Sequence, residues 1–165
     1  MSATEERISY LPSEGMSYDP EESKYWDSKA LKQEVDRAFE ICHGCRMCFK
    51  FCDSFPNLFK LLDEKYDGKV PDLQDRDVDH VMDACFQCKL CEVQCPYTPR
   101  DGHEFQLDFP KLVHRYNAQK AKKKDKTLRD RVLGDPDGTV MNFSSIFPNS
   151  FTATMLRKPR IRTNH

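Results

Sequence analysis

The residues best suited to chemistry in this chain are its cysteines. All eight lie within two runs, Cys42–Cys52 and Cys85–Cys95, and each run has the spacing Cys-x2-Cys-x2-Cys-x3-Cys. A proline, Pro96, follows the second run. This spacing is typical of proteins that hold a pair of 4Fe-4S clusters through cysteine thiolates. The sequence therefore predicts two 4Fe-4S clusters as cofactors.

The ligands of the two clusters are expected to cross between the runs. Three cysteines at short, equal intervals let one loop offer three thiolates to a single cluster, whereas the fourth cysteine leaves that loop towards the other cluster. The predicted ligands of the first cluster are Cys42, Cys45, Cys48 and Cys95, and those of the second are Cys85, Cys88, Cys91 and Cys52. All eight cysteines are thus predicted to be metal ligands.

Two other uses of cysteine fit the pattern less well. A structural zinc ion takes four ligands and is then closed, so the third equally spaced cysteine of each run would be surplus. An even number of cysteines also fits a disulfide framework. Residues 1–10, however, contain Glu5, Glu6 and Arg7 and no apolar core, which is unlike a signal peptide. Clustered cysteines without an export signal favour metal over disulfides.

The composition bounds the size of the core. The chain has 165 residues, 38% hydrophobic and 32% charged, which is the length of one domain with a thin apolar core. Clusters bound only by the folded state would add stability, so the cluster-free protein is expected to be largely disordered around both cysteine runs. No apolar run reaches the length of about 18 residues that a membrane span needs, and a cytoplasmic location is expected.

Charge is distributed unevenly along the chain. Residues 1–40 hold 5 basic and 10 acidic residues, residues 41–110 hold 8 and 13, and residues 111–165 hold 13 and 4. Residues 119–165 are therefore predicted to be a basic C-terminal tail or linker. Such a tail could meet an acidic partner protein, anionic lipid at a membrane face, or nucleic acid, or it could simply be solvated.

Apolar residues recur at helical spacing in four segments. The first segment, capped by Asp27 or Ser28, contains Leu31, Val35, Ala38 and Phe39 and leads to Cys42. The second, with Asn57 as its cap, contains Leu58, Leu61, Leu62 and Tyr66 and stops at Gly68. The third begins near Asp77 and contains Val78, Val81 and Met82, and the fourth begins at Asp108–Pro110 and contains Leu112, Val113 and Tyr116. Each cysteine run therefore follows a predicted helix.

These segments predict a mainly α fold in which a helix, cysteine loop and helix occur twice around two iron–sulfur clusters. Ferredoxins joined by β-hairpins would show alternating strand patterns between the runs, and this chain does not. We expect an extended arm over residues 1–26, because Pro12, Gly15 and Pro20 break any periodicity, and the cluster-binding domain over residues 27–118.

The two cysteine runs, the helices before them and Cys95–Pro96 resemble the α-helical ferredoxin domain of iron–sulfur oxidoreductases. That domain occurs in the iron–sulfur subunits of succinate dehydrogenase, fumarate reductase, heterodisulfide reductase and anaerobic glycerol-3-phosphate dehydrogenase. Residues 16–135, from Met16-Ser17-Tyr18-Asp19-Pro20 onward, most resemble the last of these and its relatives. The resemblance implies an electron-transfer component of a dehydrogenase or reductase complex.

Three features depart from the pattern of that domain. Asp53 follows the first run where the family usually has proline, which puts only the local geometry in doubt. Longer relatives carry further cysteine-rich domains, whereas no cysteine follows Cys95 here. Residues 134–165, which include Arg157–Arg162, fit either a linker into a further domain or a divergent tail.

No motif for a bound nucleotide or a nucleophilic triad is evident, so the chain is predicted to lack a catalytic site of its own. We expect it to relay single electrons through two clusters between a donor, a flavoprotein or another iron–sulfur protein, and an acceptor. A redox-responsive binding protein that uses the basic tail and a cluster-stapled structural module remain the alternatives. Nucleic acid is a weaker candidate partner, because no known binding motif is present.

The sequence also predicts the surroundings of four histidines and of the apolar residues near the cysteines. His43 and His80 are expected to face solvent, and His103 and His114 have no partner at ligand spacing. The apolar residues Phe49, Phe51, Leu90 and Val93 are expected to shield the clusters from water, which would influence their reduction potentials.

Overall fold

The computed structural model describes residues 8–123 together with Gly134, and the helical fold class is confirmed. The described residues form five α-helices and no strand. The helices are α1 (Ser28–Cys45), α2 (Ser54–Glu64), α3 (Asp75–Asp83), α4 (Leu90–Gln94) and α5 (Phe109–Lys123). All five helices belong to one compact unit of the chain. Apart from Gly134, the predicted tail after Lys123 lies outside the described residues, so the predictions about residues 124–165 remain predictions.

Helix α1 begins where the sequence predicts but ends later. The Asp27 carboxylate accepts hydrogen bonds from the backbone N–H groups of Lys29 and Ala30, at 2.8 and 3.3 Å, which satisfies two donors of the first turn. The helix ends at Cys45, and the next residue, Arg46, is left-handed with φ 54°. Cys42 and Cys45 therefore project from a rigid last helical turn instead of a loop.

Helix α2 begins three residues before the predicted cap, Asn57, which instead lies inside the helix. The first residue of the helix, Ser54, is buried, and its hydroxyl donates a 2.8 Å hydrogen bond to the Val81 carbonyl of α3. Pro56 occupies the first turn, where its missing N–H costs nothing. A bond to another helix thus sets this boundary, and local sequence does not reveal such a contact.

Each cysteine run lies between two longer helices, as predicted, but the runs themselves differ in local secondary structure. The first run starts within α1, whereas α3 ends at Asp83, before Cys85, and the second run contains the short helix α4. Helix α2 follows the first run closely, whereas α5, the helix predicted after the second run, begins 14 residues after Cys95. The order of helix, cysteine run and helix therefore occurs twice, as predicted.

The core lies where α1, α2, α3 and α5 meet. The predicted inward residues Val35, Leu58, Val81 and Val113 are each at most 1% exposed. Phe55 of α2 packs against Phe109 at the start of α5, with ring centroids 4.9 Å apart. The helices that flank the first cysteine run are therefore held by a common apolar core.

The N-terminal arm, described from residue 8, is attached through buried arginines that the sequence analysis did not identify. Arg37 of α1 is 2% exposed, pairs with Glu34 at 2.7 Å, and donates to the carbonyls of Tyr10 and Phe105 at 2.8 Å. Arg115 of α5 is fully buried and donates to backbone carbonyls of the arm. The predicted arm thus packs on the helical domain through polar contacts to its backbone.

Candidate metal centre

Four cysteines from both runs line one small cavity. Cys42 and Cys45 come from the last turn of α1, Cys48 from the turn that follows, and Cys95 from the end of the second run. The remaining walls are mostly apolar and include Ile41, Phe55, Phe59 and Leu107. These four cysteines, here called the first thiol set, are the ones predicted from sequence for the first cluster.

The other four cysteines, here called the second thiol set, are Cys52, Cys85, Cys88 and Cys91. Burial and the like charges of Cys48, Cys85, Cys52 and Cys88 raise the pKa of Cys91 to about 12. Burial and the like charges of Cys52 and Cys88 also raise the pKa of Cys85, whereas a hydrogen bond from the Gln87 backbone lowers it. Cys85 and Cys91 of the second run therefore lie within electrostatic range of Cys52 from the first run.

The two thiol sets adjoin each other. The Cys48 sulfur lies 3.9 Å from the Cys91 carbonyl oxygen, so the two runs are in contact. A second small cavity is lined by Cys42, Cys48 and Cys95 of the first set and by Cys91 of the second. The fold thus brings two sequence-distant runs together at one place.

The chemistry of these donors fits iron–sulfur clusters. Burial, followed by the like charges of Cys95, Cys45 and Cys52, raises the pKa of Cys48 to about 11, and burial together with neighbouring thiols raises the pKa of Cys42 well above its usual range. Bound iron would offset this crowding of like charge, because thiolates are the ligating form. All eight cysteines are free, so none forms a disulfide.

Within residues 8–123, no group of three or more His, Cys, Asp or Glu side chains is arranged to hold a single metal ion. Each iron of a 4Fe-4S cluster takes one cysteine ligand, so the ligands of one cluster are spread over four metal atoms. The relevant feature of this site is therefore a cavity surrounded by thiols.

Comparison with known proteins agrees with this geometry. Residues 41–98 match the family described as "4Fe-4S dicluster domain". This match supports an iron–sulfur, ferredoxin-like domain in this part of the chain. An 80-residue stretch is 33% identical to citrate utilization protein B of Escherichia coli, and the alignment covers 48% of this chain and 18% of that protein. The chain thus spans less than a fifth of that relative. No solved structure matches.

The apolar residues expected to shield the clusters are mostly exposed in this structure. Phe49 and Leu90 are each 50% exposed and Val93 is 68% exposed, while Phe51 is half-buried. Met47 and Phe86 in the same runs are also exposed. Shielding of the first thiol set comes from core residues outside the cysteine runs, such as Phe55 and Leu107, which sequence spacing alone could not assign.

His43 is not the solvent-facing loop residue that the sequence predicted. It lies in α1, is half-buried, and its Nε2 is 3.1 Å from the Asp63 carboxylate. Asp63 also binds Arg46 through both carboxylate oxygens, at 2.6 and 2.8 Å. His80 is exposed, as predicted. The carboxylate that orders the first run therefore comes from α2, 15 residues after Cys48.

Tyr97 and His103 form an aromatic wall beside the first thiol set. Tyr97 lines the cavity of that set, and its ring lies 5.0 Å from His103 and 5.5 Å from Phe105. The His103 ring accepts a 3.1 Å hydrogen bond from the Phe105 backbone, so its role here is packing and local hydrogen bonding. In the sequence, this wall is indicated only by the presence of Tyr97 two residues after Cys95.

Proposed function

We propose that this chain is an electron-transfer protein, or part of one, that holds two 4Fe-4S clusters and passes single electrons between a donor and an acceptor protein. The observation that carries the proposal is the cavity that places Cys42, Cys45 and Cys48 of one run with Cys95 of the other. Such clusters supply reversible one-electron chemistry, with a potential set by their surroundings.

The proposed ligands are the two thiol sets as defined above. The last turn of α1 fixes Cys42 and Cys45, and the core beneath it excludes water on that side, since Phe55 and Leu107 are at most 3% exposed. The contact between Cys48 and the Cys91 backbone holds the two sets next to each other. A short, rigid separation between the sets is what an electron relay requires.

The surface of the cysteine runs supports a role in partner binding. In the described part of the chain, the large exposed hydrophobic residues outside the arm all belong to these runs: Met47, Phe49, Phe86, Leu90 and Val93. Exposed apolar residues grouped around a functional site are typical of protein interaction surfaces. We propose that a flavoprotein or another iron–sulfur protein docks here, and that any substrate chemistry belongs to that partner.

The first test is the iron and acid-labile sulfide content of protein purified without oxygen, together with the EPR spectrum of the reduced sample. About eight atoms of each per chain are expected, with signals from two interacting clusters. Zinc without sulfide would refute the electron-transfer proposal and leave a structural module.

A pair of double variants tests the crossed ligand sets. Cys42→Ala with Cys95→Ala removes two ligands of the first thiol set only, so one cluster and about four irons should remain. The matched control, Cys42→Ala with Cys52→Ala, removes one ligand from each set and should impair both clusters. If each run bound its own cluster instead, the two results would be exchanged.

A further inference from the structure

Tyr97 occupies a fixed position beside the first thiol set. Its side chain lines the cavity that also contains Cys45 of the first run and Cys95 of the second. Its carbonyl accepts a 2.8 Å hydrogen bond from the N–H of Leu107, which is 3% exposed and lines the same cavity. The backbone after Cys95 is therefore tied to the core next to this set.

Neighbouring aromatic rings fix the direction of the Tyr97 side chain. The His103 ring meets the Tyr97 ring edge-on with centroids 5.0 Å apart, and the Phe105 ring lies 5.5 Å away. The Phe105 carbonyl in turn accepts a 2.8 Å hydrogen bond from the buried guanidinium of Arg37 in α1. The Tyr97 ring is thus held by a segment that is itself anchored to α1, so it has little freedom to turn away from the thiols.

The hydroxyl of Tyr97 is within hydrogen-bonding reach of the Cys45 sulfur. The charge of Cys45, burial and a hydrogen bond with Cys45 raise the pKa of Tyr97, and the charges of Cys95 and Tyr10 add to the effect. A tyrosine hydroxyl carries its proton at neutral pH whatever the size of this shift, so Tyr97 is the donor and the sulfur is the acceptor. The side chain therefore directs a polar hydrogen at a proposed ligand from the first run.

The backbone of Tyr97 contacts a ligand from the other run. Burial raises the pKa of Cys95, whereas a hydrogen bond from the Tyr97 backbone lowers it, so the Tyr97 N–H donates to the Cys95 sulfur. Cys45 and Cys95 belong to the same thiol set but come from different runs. One residue thus donates to two sulfur atoms of the first set, one from each run.

The equivalent position after the first run also carries a hydroxyl, but that hydroxyl is used differently. Tyr97 lies two residues after Cys95, the fourth cysteine of the second run, and Ser54 lies two residues after Cys52, the fourth cysteine of the first. The Ser54 hydroxyl is buried and donates to the Val81 carbonyl at 2.8 Å. Tertiary packing therefore turns one hydroxyl towards a neighbouring helix and the other towards a thiol.

We propose that Tyr97 is a positioning residue of the first cluster, which joins Cys45 and Cys95 through its hydroxyl and its backbone N–H and raises the reduction potential of that cluster. The inference rests on the proposed function. Reduction adds one negative charge to a cluster, and hydrogen bonds to its sulfur ligands favour this charged state. Loss of the Tyr97 hydroxyl should therefore make the first cluster harder to reduce and leave the second cluster unchanged.

The test is an EPR-monitored redox titration of the cluster-loaded full chain, in wild type and in Tyr97→Phe. This variant keeps the ring and the backbone N–H and removes only the hydroxyl. One of the two reduction potentials should fall by up to about tenfold in the redox equilibrium, which is about 59 mV for one electron, and the other should not move. Proton ENDOR of the reduced protein should also lose the coupling of an exchangeable proton in the variant, a loss that altered packing alone would not produce.

Tyr10→Phe provides the matched control, because it removes the same group from a ring that packs on Phe105, is 40% exposed and does not line the cavity. Both potentials should keep their wild-type values in this control. The inference is overturned if Tyr97→Phe leaves both potentials unchanged, or if it lowers both by the same amount.

Two double variants assign the affected cluster. Cys85→Ala with Cys88→Ala removes two ligands of the second thiol set only, so Tyr97→Phe added to this background should lower the potential of the cluster that remains. Cys42→Ala with Cys95→Ala removes the first cluster, and Tyr97→Phe should then have no effect; a shift there also overturns the inference. Iron and sulfide content, measured on each sample, separates these outcomes from failure of the proposed function. A wild-type protein without about eight irons refutes the function itself, whereas a fully loaded Tyr97→Phe variant with unchanged potentials refutes only the inference.

Discussion

Replacing Arg115 with methionine should detach the N-terminal arm from the helical domain. The Arg115 side chain is fully buried, and its Nε, Nη1 and Nη2 donate to the carbonyls of Tyr25, Gly15 and Lys24, at 2.8, 3.0 and 2.5 Å. Methionine fills a similar volume but donates no hydrogen bond. The substitution therefore removes three hydrogen bonds to the backbone of the arm, although the carbonyls of Tyr25 and Lys24 each keep another donor.

The size of the effect follows from these contacts. A hydrogen bond to a charged group contributes about 1.5–3 kcal/mol, so three of them give an upper limit of roughly 4.5–9 kcal/mol. Two terms reduce this figure. Gln119 also donates to the Tyr25 carbonyl, at 2.6 Å, and burial of the guanidinium is itself costly, as the lowered pKa of Arg115 indicates. A net loss of about 3–5 kcal/mol is expected, a large share of the stability of a small domain.

The measurement is urea unfolding of the cluster-loaded protein without oxygen, followed by circular dichroism. With a slope of about 2 kcal/mol per molar urea, the midpoint should fall by roughly 2 M. Limited trypsin digestion should also cut faster at Lys24, which lies in the arm. Arg76→Met is the matched control, because Arg76 is 74% exposed and its only ion pair within residues 8–123 is 3.8 Å long. If Arg115→Met unfolds within about 0.5 kcal/mol of the control, the arm is not held by these hydrogen bonds.

Two further changes test a close packing contact and an ion pair. Gly15→Ala would make its Cβ overlap the Cβ of Ala30 and should cost about 1–3 kcal/mol in the same urea assay, whereas Gly44→Ala, within α1 and with no atom within 4 Å of the added carbon, should be neutral or stabilising by up to about 1 kcal/mol. Equal costs would contradict the close approach of the arm to α1. Arg46 and then His43 lower the pKa of Asp63 to about 2, from about 3.9 when unfolded. Because the folded pKa is the lower one, this stabilisation is present above about pH 4 and is lost as the pH falls through about 2. The stability difference between wild type and Asp63→Asn should therefore shrink over that range, and a difference that stays constant would show that the pair contributes through hydrogen bonds alone.

The helical elements were largely predictable because their signals are local. Asp27 acts as the cap of α1 as expected, and the Asp108 carboxylate accepts from the Lys111 backbone at 3.0 Å at the start of α5. Such boundaries depend on side chains within three residues of the helix end. The sequence places the start of α2 three residues too late, because the Ser54 hydroxyl donates a hydrogen bond to the carbonyl of Val81, which is 27 residues away in the chain. A contact with a distant backbone group leaves no mark in the neighbouring sequence.

The surroundings of the thiols were less predictable than the thiols themselves. Phe49, Leu90 and Val93 are exposed rather than packed in the core, since being apolar and adjacent in sequence does not fix the direction of a side chain. The pairing of Arg46 with Asp63 joins the end of α1 to α2 and arises only when the two helices pack. The clamp of Arg37 and Arg115 on the arm is likewise invisible in a sequence where both look like ordinary surface charges.

The sequence by itself determined the type of chemistry, because the spacing of eight cysteines in two runs restricts which metal centre they can form. It also determined the helical class, through apolar residues at helical intervals. The tertiary structure decided how the two runs meet, placing Cys95 in the cavity of Cys42, Cys45 and Cys48. It also decided that Arg46 of the first run is paired with Asp63, whereas Lys89, at the equivalent position of the second run, is exposed. Both outcomes depend on contacts between residues far apart in the chain, and packing of the helices alone brings those residues within reach of each other.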